Sequence, residues 1–438
     1  MSYRIDTTES RKLSERLRRV LPAGDTRSVT YYPPYPLALA RGTGCHVWDI
    51  DGNHFIDLLN NYTALIHGHA HPEIVAAITE QARFGTVFPA PNALQADLAE
   101  RIVERVRSVE MVRFTNSGTE AVMQAVRVAR AHTGRVEIVK AVGGYHGSWE
   151  QVPMTFGGGV RASAHDGEAP VSGAGVPAFV RELVHMVPFN DVGALEQVMA
   201  ERGERIAALI FEPVLGEGVI AGDPAFFARA RSLADRHGAL LIADEVVSFR
   251  VAWGGYQSVL DLDPDLTTFG KIIGGGMPVG AVGGREVVMR HFAPDRAPFV
   301  SHSGTFNGNP MTMAAGCVSV DLLTAAEIDR INGLSATLAD GLQRALAAHN
   351  LPGPVTIAGS LVHLHLEAAE EIRSFEDVNL ESQQLARLHV ACLDEGLYFA
   401  PRGVLNVSTA LDEDTVAQAV ECFERAAARV EQEVTLAA

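Results

Sequence analysis

The sequence predicts an α/β protein, with a mainly parallel mixed sheet between helices in a large domain and a smaller α+β domain beside it. Three observations carry that expectation. From about residue 92 short apolar strands alternate with amphipathic helices, which requires crossover connections and a sheet covered on both faces. After residue 310 the pattern changes to long helices with only short strands among them. A chain of 438 residues also exceeds what one hydrophobic core usually holds. The expected division is an N-terminal segment and hairpin over 1–60 that contributes to the small domain, a large domain over 61–315 and a small α+β domain over 316–438.

The first sixty residues read as a polar helix, a Pro/Tyr-rich turn at 31–36, and short strands. Residues 46–53 form a hairpin candidate, with the Asp51-Gly52 turn ahead of a second strand at 55–58. Helical periodicity marks 92–107 and 118–132, the latter with Ala121, Val122, Ala125, Val128 and Ala129 along one face. Strand candidates are 111–115, 136–140, 206–211, 239–243, 266–269 and 279–282, and the helix 224–237 separates two of them. Helices over 311–323, 332–348, 382–395 and 413–432, with strands at 362–366 and 404–408, complete the chain.

Composition removes several function classes. Hydrophobic residues make up 47% and charged residues 20%, which argues against disorder. The net charge of −17 lacks the cationic surplus that nucleic acid requires. Four separated cysteines without CxxC spacing argue against a disulfide framework or zinc site. No apolar run reaches the roughly 18 residues of a membrane span, and the N-terminus lacks the apolar centre of a secretory signal. A cytoplasmic protein is expected. His67, His69 and His71 stand at alternate positions with no carboxylate or cysteine cluster, so no metal is expected there. His363 and His365 read as packing or surface residues.

Five motifs bear chemistry. Asp244 follows the apolar strand 240–243, where open α/β sheets collect ligands. It can pair with a protonated ring nitrogen, or simply cap the next loop. Lys271 stands in Gly-rich FGKIIGGG, half-buried by its apolar neighbours, as an amine nucleophile needs. A surface lysine in a flexible loop would look the same. Ser117, Gly118 and Thr119 open a helix and offer hydroxyls, N–H groups and a favourable dipole to a phosphate. Ser117 with Glu120 also reads as a capping box. The turn Gly143-Gly144-Tyr145-His146-Gly147 presents an aromatic ring that could stack on a flat cofactor or merely pack. Thr305 lies in a second hydroxyl-and-glycine turn, 303–310. Among only three lysines (Lys12, Lys140 and Lys271), Lys271 alone combines an apolar approach, an upstream Asp and a downstream hydroxyl turn.

In this order the motifs resemble the class III pyridoxal-phosphate (PLP) aminotransferases of fold type I, over about residues 36–408. The stretches FGKIIGGGMPVGAVGGR (269–285) and GTFNGNPMTMAAG (304–316) are specific to that family. The resemblance implies PLP as cofactor, with Lys271 as its Schiff-base lysine and proton shuttle and Asp244 on its pyridine nitrogen. It also implies that Val246 and Tyr145 lie on opposite ring faces, that His146 is in the cofactor site, and that Ser117, Gly118 and Thr119 hold the phosphate. Thr305 is expected at the phosphate of the partner in a homodimer.

Within the family the chain is similar to β-phenylalanine-type aminotransferases and to glutamate-1-semialdehyde aminomutases. Arg402 directly after Ala400-Pro401 matches the former, where the aminomutases carry a motif ending in Phe-Glu. Arg27, in Gly24-Asp25-Thr26-Arg27-Ser28, matches the position that holds the substrate carboxylate in the β-amino-acid branch. Glu217 in Gly216-Glu217-Gly218 departs from that branch. It is expected, as in ω-amino-acid aminotransferases, to park Arg402 when the substrate does not need it. The implied activity is ping-pong transfer of an amino group from a β-amino acid or related ω-amino compound to a keto acid such as 2-oxoglutarate or pyruvate. A PLP-dependent isomerase, aminomutase or racemase, is the alternative.

Overall fold

Six strands of one sheet run in a common direction and a seventh runs against them. The computed structural model describes residues 2–150 and 175–437. The strands are β1 (Met111–Thr115), β2 (Glu137–Ala141), β3 (Val184–Val187), β4 (Ile206–Phe211), β5 (Leu240–Asp244), β6 (Leu266–Gly270) and β7 (Gly280–Gly284). Their spatial order is β1-β7-β6-β5-β4-β2-β3. β7 is antiparallel to both neighbours, and the other pairings are parallel.

The strand sequences are continuous apolar runs because both faces are covered. Helix Gly118–Thr133 lays Val122, Ala125 and Ala129 on Ile138, Ile210 and Ile242, all fully buried. Each of these Val and Ile side chains contributes about 1.5–3 kcal/mol by leaving water, and each Ala less. The helix starts where Ser117 Oγ accepts the Glu120 N–H at 3.2 Å and stops at left-handed Gly134. Pro224–His237 begins on Asp223 and ends on Gly238 in the same way. In β7, Gly280 sits opposite Thr115, and a Cβ there would stand 2.0 Å from the Ser117 carbonyl oxygen. Only glycine allows that approach.

These elements belong to one compact unit, the described residues of 73–328 with 373–376. The helix Pro310–Leu322 lies in this unit and packs on Ala93–Arg105. A helix at Pro72–Phe84 and another at Val192–Arg202 accompany those that periodicity singled out.

The second unit comprises residues 2–72, 329–372 and 377–437. The expected hairpin is present: His46–Asp49 pairs antiparallel with His54–Asp57, which in turn pairs with Leu397–Tyr398. Its Asp51 caps helix Thr8–Leu17, accepting the N–H groups of Glu9 at 2.6 Å and Ser10 at 2.9 Å. A three-stranded sheet, Val355–Ala358, Leu361–Leu364 and Val404–Asn406, lies elsewhere in this unit, as does the packed pair Gln383–Asp394 and Glu413–Ala437.

Directly after the hairpin, Asn60, Asn61, Tyr62 and Thr63 form one left-handed turn, with φ of 47°, 50°, 55° and 74°. Left-handed helical backbone costs roughly 1–2 kcal/mol per L-residue, and Tyr and β-branched Thr tolerate it poorly. A buried polar network holds it. Asp57 Oδ1 accepts the N–H groups of Leu59 at 2.7 Å and Asn60 at 3.0 Å. Asn60 Nδ2 donates to Asn406 at 3.1 Å, and Asn406 Nδ2 donates to the Leu59 carbonyl at 2.7 Å.

Candidate active site

Because β1, β2, β4, β5 and β6 point the same way, their carboxyl ends share one edge of the sheet. Five of the chain's polar motifs leave from that edge: Ser117 after β1, Tyr145 and His146 after β2, Glu212 after β4, Asp244 on β5 and Lys271 after β6. This edge is where open α/β sheets place their ligands.

Asp244 is buried and fully engaged. Its Oδ2 lies 2.8 Å from Nδ1 of His146, and its Oδ1 accepts from the Thr268 hydroxyl at 2.8 Å and the Val246 N–H at 3.2 Å. His146 is also buried. Desolvation lowers its pKa, the Asp244 hydrogen bond and charge oppose that fall, and Lys140 adds to it. Glu245, the next residue, does other work. Its carboxylate accepts from the Ser248 hydroxyl and from the N–H groups of Gln257 at 2.7 Å and Tyr256 at 3.1 Å, which ties down the loop after β5. Burial pushes it up to about 7.

Lys271 follows β6 with φ of 48°, a left-handed conformation unusual for a residue with a side chain. It is half-buried. Burial pulls its pKa below the ordinary lysine value, the Glu212 and Asp244 carboxylates resist, and buried Arg250 lowers it further. A larger fraction of the amine is thus deprotonated than in water, as nucleophilic or proton-transfer chemistry requires.

Sequence reasoning missed Glu212 as a site residue and passed over Lys140 as a strand end. Glu212 is buried immediately after the apolar run of β4, the same position that singled out Asp244 on β5. Its Oε2 accepts the Tyr145 N–H at 2.8 Å and its Oε1 the Gly216 N–H at 3.1 Å. It therefore joins the aromatic turn to the loop carrying Glu217, which is itself buried between short strands Val214–Leu215 and Ile220–Ala221. Burial, then Asp244, push Glu212 up to about 8, while Lys271 opposes. Lys140 is fully buried, donates to the Gly144 carbonyl at 2.8 Å and is held down to about 8 by burial.

At the helix start the capping box of residues 116–120 is present. Ser117 is the N-cap, and the Glu120 carboxylate reaches the Asn116 N–H at 2.8 Å. Gly118 and Thr119 head the helix, where amides lack intrahelical acceptors. Val246 lies against Gly118: a Cβ on that glycine would be 3.1 Å from its Cγ1. Asn116 Nδ2 donates to Asn307 Oδ1 at 2.8 Å, which brings the turn of Thr305 beside this one, with Thr305 exposed. Tyr145 is 38% exposed, so its ring borders the edge.

The remaining candidates lie in the second unit. Arg27 is exposed and donates from Nη1 to Asn61 Oδ1 at 2.8 Å, with its guanidinium 5.9 Å from the Tyr62 ring centre. Arg402 occupies the turn before Val404–Asn406; burial lowers the pKa of His363, His365 adds to that, and Arg402 lowers it a little further. His363 and His365 are buried and stacked at 4.2 Å. His69 pairs with Asp57 at 2.6 Å and His67 Nδ1 lies 3.0 Å from the Thr409 hydroxyl. Among the described residues no group of three His, Cys, Asp or Glu could hold a metal ion. None of the described helices is by itself long and apolar enough to cross a membrane.

The aminotransferase class-III family model matches residues 28–426. A glutamate-1-semialdehyde 2,1-aminomutase of Anaeromyxobacter dehalogenans is 39% identical over 433 residues, 97% of this chain and 98% of its own. The solved structure of an omega-transaminase from Sphaerobacter thermophilus is 40% identical with a TM-score of 0.91, over 97% of this chain and 98% of that one. A β-phenylalanine aminotransferase from Variovorax paradoxus is 37% identical with a TM-score of 0.84, over 95% and 93% of the two chains. With this sheet, this carboxyl edge and these relatives, the chain belongs to the class III aminotransferases, enzymes of fold type I that depend on pyridoxal 5′-phosphate.

Proposed function

We propose that this enzyme transfers an amino group from a β-amino acid, or a related ω-amino compound, to a keto acid such as 2-oxoglutarate or pyruvate. The observation that carries the donor class is Arg27. Its guanidinium is held by an amide oxygen and an aromatic face, neither of which neutralises its charge, so it stays ready to pair with a carboxylate.

The carboxyl edge suits PLP by the chemistry of its donors. A buried carboxylate, Asp244, matches a protonated ring nitrogen. A lysine with a lowered pKa, Lys271, matches an aldehyde. The helix start at Ser117, Gly118 and Thr119 matches a phosphate. Bound there, the cofactor supplies an electron sink for the carbon that loses its proton. Lys271 takes that proton and returns it, and its part-neutral amine suits both directions. His146 keeps Asp244 oriented, while Val246 and Tyr145 flank the flat ring. Glu217 and Arg402 are proposed to adjust the site between its two substrates. Thr305 and neighbouring Phe306, both exposed, suit a homodimer in which Thr305 meets the partner's phosphate. The chain's free cysteines suit the cytoplasm.

A second reading, an isomerase of the aminomutase type, draws support from the curated relatives, which carry that name at 34–39% identity. Arg402 directly after Ala400-Pro401 supports the transaminase instead. Incubating the enzyme with a panel of amines and either keto acid separates the two. Formation of glutamate or alanine, matched by consumption of a β-amino acid, is the expected result. Conversion of an amino compound with no need for a keto acid would support the isomerase.

A further inference from the structure

The left-handed turn at 60–63 is a costly backbone, and a buried network of Asp57, Asn60 and Asn406 exists to keep it. Strain that surrounding structure holds in place is a pointer to function. What the turn delivers is visible in its two middle side chains. Asn61 accepts the Arg27 guanidinium at 2.8 Å. Tyr62 lies under the same guanidinium and donates its hydroxyl to the Val29 carbonyl at 2.7 Å, two residues further along. From the other side Asp25 Oδ1 accepts the Arg27 N–H at 3.3 Å, and its Oδ2 accepts the Thr30 hydroxyl. Arg27 therefore sits on a short segment pinned at both ends, with its charged group set by two neutral side chains. A right-handed turn would send successive side chains in other directions, and Asn61 and Tyr62 would not converge on one partner.

We infer that the left-handed turn is a positioning device for substrate selection: Asn61 and Tyr62 fix the guanidinium of Arg27 in the orientation that receives the carboxylate of the amino donor. This rests on the reading of Arg27 as the carboxylate-binding residue. The guanidinium is held by neutral groups, and the nearby Asp25 carboxylate hydrogen-bonds the backbone of the segment and the Thr30 hydroxyl. An acidic residue in place of Asn61 would hold Arg27 more tightly and cancel the charge the substrate needs.

The test uses Asn61→Gly, because glycine adopts a left-handed turn without strain and the change removes only the amide. Tyr62→Phe keeps the ring and releases Val29. Probes are β-phenylalanine, α-methylbenzylamine (the same ring and amine without a carboxylate) and hydrocinnamate, which has the carboxylate but cannot turn over. Asn61→Gly is expected to raise the KM for β-phenylalanine about tenfold relative to that for α-methylbenzylamine, and to weaken hydrocinnamate binding by about the same factor, equivalent to about 1.4 kcal/mol. Tyr62→Phe should shift both in the same direction by less. Adding Asn61→Gly to Arg27→Ala should cost nothing further. If Arg27→Ala discriminates against the carboxylate and Asn61→Gly does not, or if Asn61→Gly weakens both amines equally, the positioning role is overturned and Arg27 stands. If Arg27→Ala leaves the preference for β-phenylalanine over α-methylbenzylamine untouched, the reading of Arg27 falls and this one with it.

Discussion

Nδ1 of His146 and Oδ2 of Asp244 stand 2.8 Å apart in a fully buried pair. A carboxylate can only accept, so the proton of the imidazole lies on Nδ1 and its lone pair on Nε2, which has no hydrogen-bond partner among the described residues. Burial, which lowers the pKa of His146, favours this neutral form. Asp244 thus accepts hydrogen bonds at both oxygens, at the carboxyl end of β5.

Replacing that carboxylate is expected to be costly to catalysis and mild to folding. Asp244→Asn should lower kcat by about 10²–10³-fold, the usual effect of losing one preorganised electrostatic group. Steady-state kinetics and the visible spectrum of the bound cofactor measure it. Retention of more than a tenth of kcat would contradict the pairing with the ring nitrogen.

Lys271→Ala should abolish the yellow absorbance of the bound cofactor and reduce turnover by at least about 10²–10⁴-fold, the range general acid–base groups supply. Alanine keeps the same Cβ at this left-handed backbone position and adds no strain, so the variant should remain folded by circular dichroism. An undiminished visible band would exclude Lys271 as the attachment point.

Glu212 links stability to pH. Its folded pKa is raised to about 8 from an ordinary 4.5, so the folded protein holds a proton that the unfolded chain releases. This contribution is complete below about pH 4.5 and is lost as pH climbs through about 8. Lys140, lowered to about 8, has the reverse dependence and regains stability only above that pH. Relative to Glu212→Gln, the Tm of the cofactor-free wild-type enzyme should therefore decline between about pH 5 and pH 8. Parallel thermal melts of the two proteins across that range provide the comparison.

Asp51→Ala removes the acceptor of the Glu9 and Ser10 N–H groups at the start of helix Thr8–Leu17, where Asp6 accepts only the Thr8 N–H at 3.0 Å and the N-cap residue Thr7 makes no capping bond. The expected loss is about 0.5–2 kcal/mol, read from denaturant unfolding. Asp51→Asn should recover part of it, since the amide oxygen still accepts one N–H.

Much of this architecture was legible before the structure. Continuous apolar runs marked β4, β5 and β6, and the Asp51-Gly52 turn marked the hairpin, because local pattern and tertiary role agree there. The glycines of β7 carry little β-propensity; they form a strand because Gly280 must lie against the backbone of Ser117, a contact distant in sequence. Glu212 escaped notice because a lone Glu before Pro213 looks like a loop residue until the parallel order sets it beside Asp244. The turn at 60–63 was hidden for a different reason. Asn60 and Asn61 permit left-handed backbone, but Tyr62 and Thr63 oppose it, and the deciding partner, Asn406, lies more than three hundred residues away.

The reversed strand has a consequence for how the chain comes to life. β1 is an edge strand whose one neighbour in the sheet is β7, so its own place in the sheet is filled only once Gly284 has been synthesised, although the helix that follows it already packs on β2, β4 and β5. By then the strands bearing Tyr145, Glu212, Asp244 and Lys271 have all been made. The last strand of the sheet to be made is therefore the one that docks the first, and the sheet is complete only when its two sequence extremes meet.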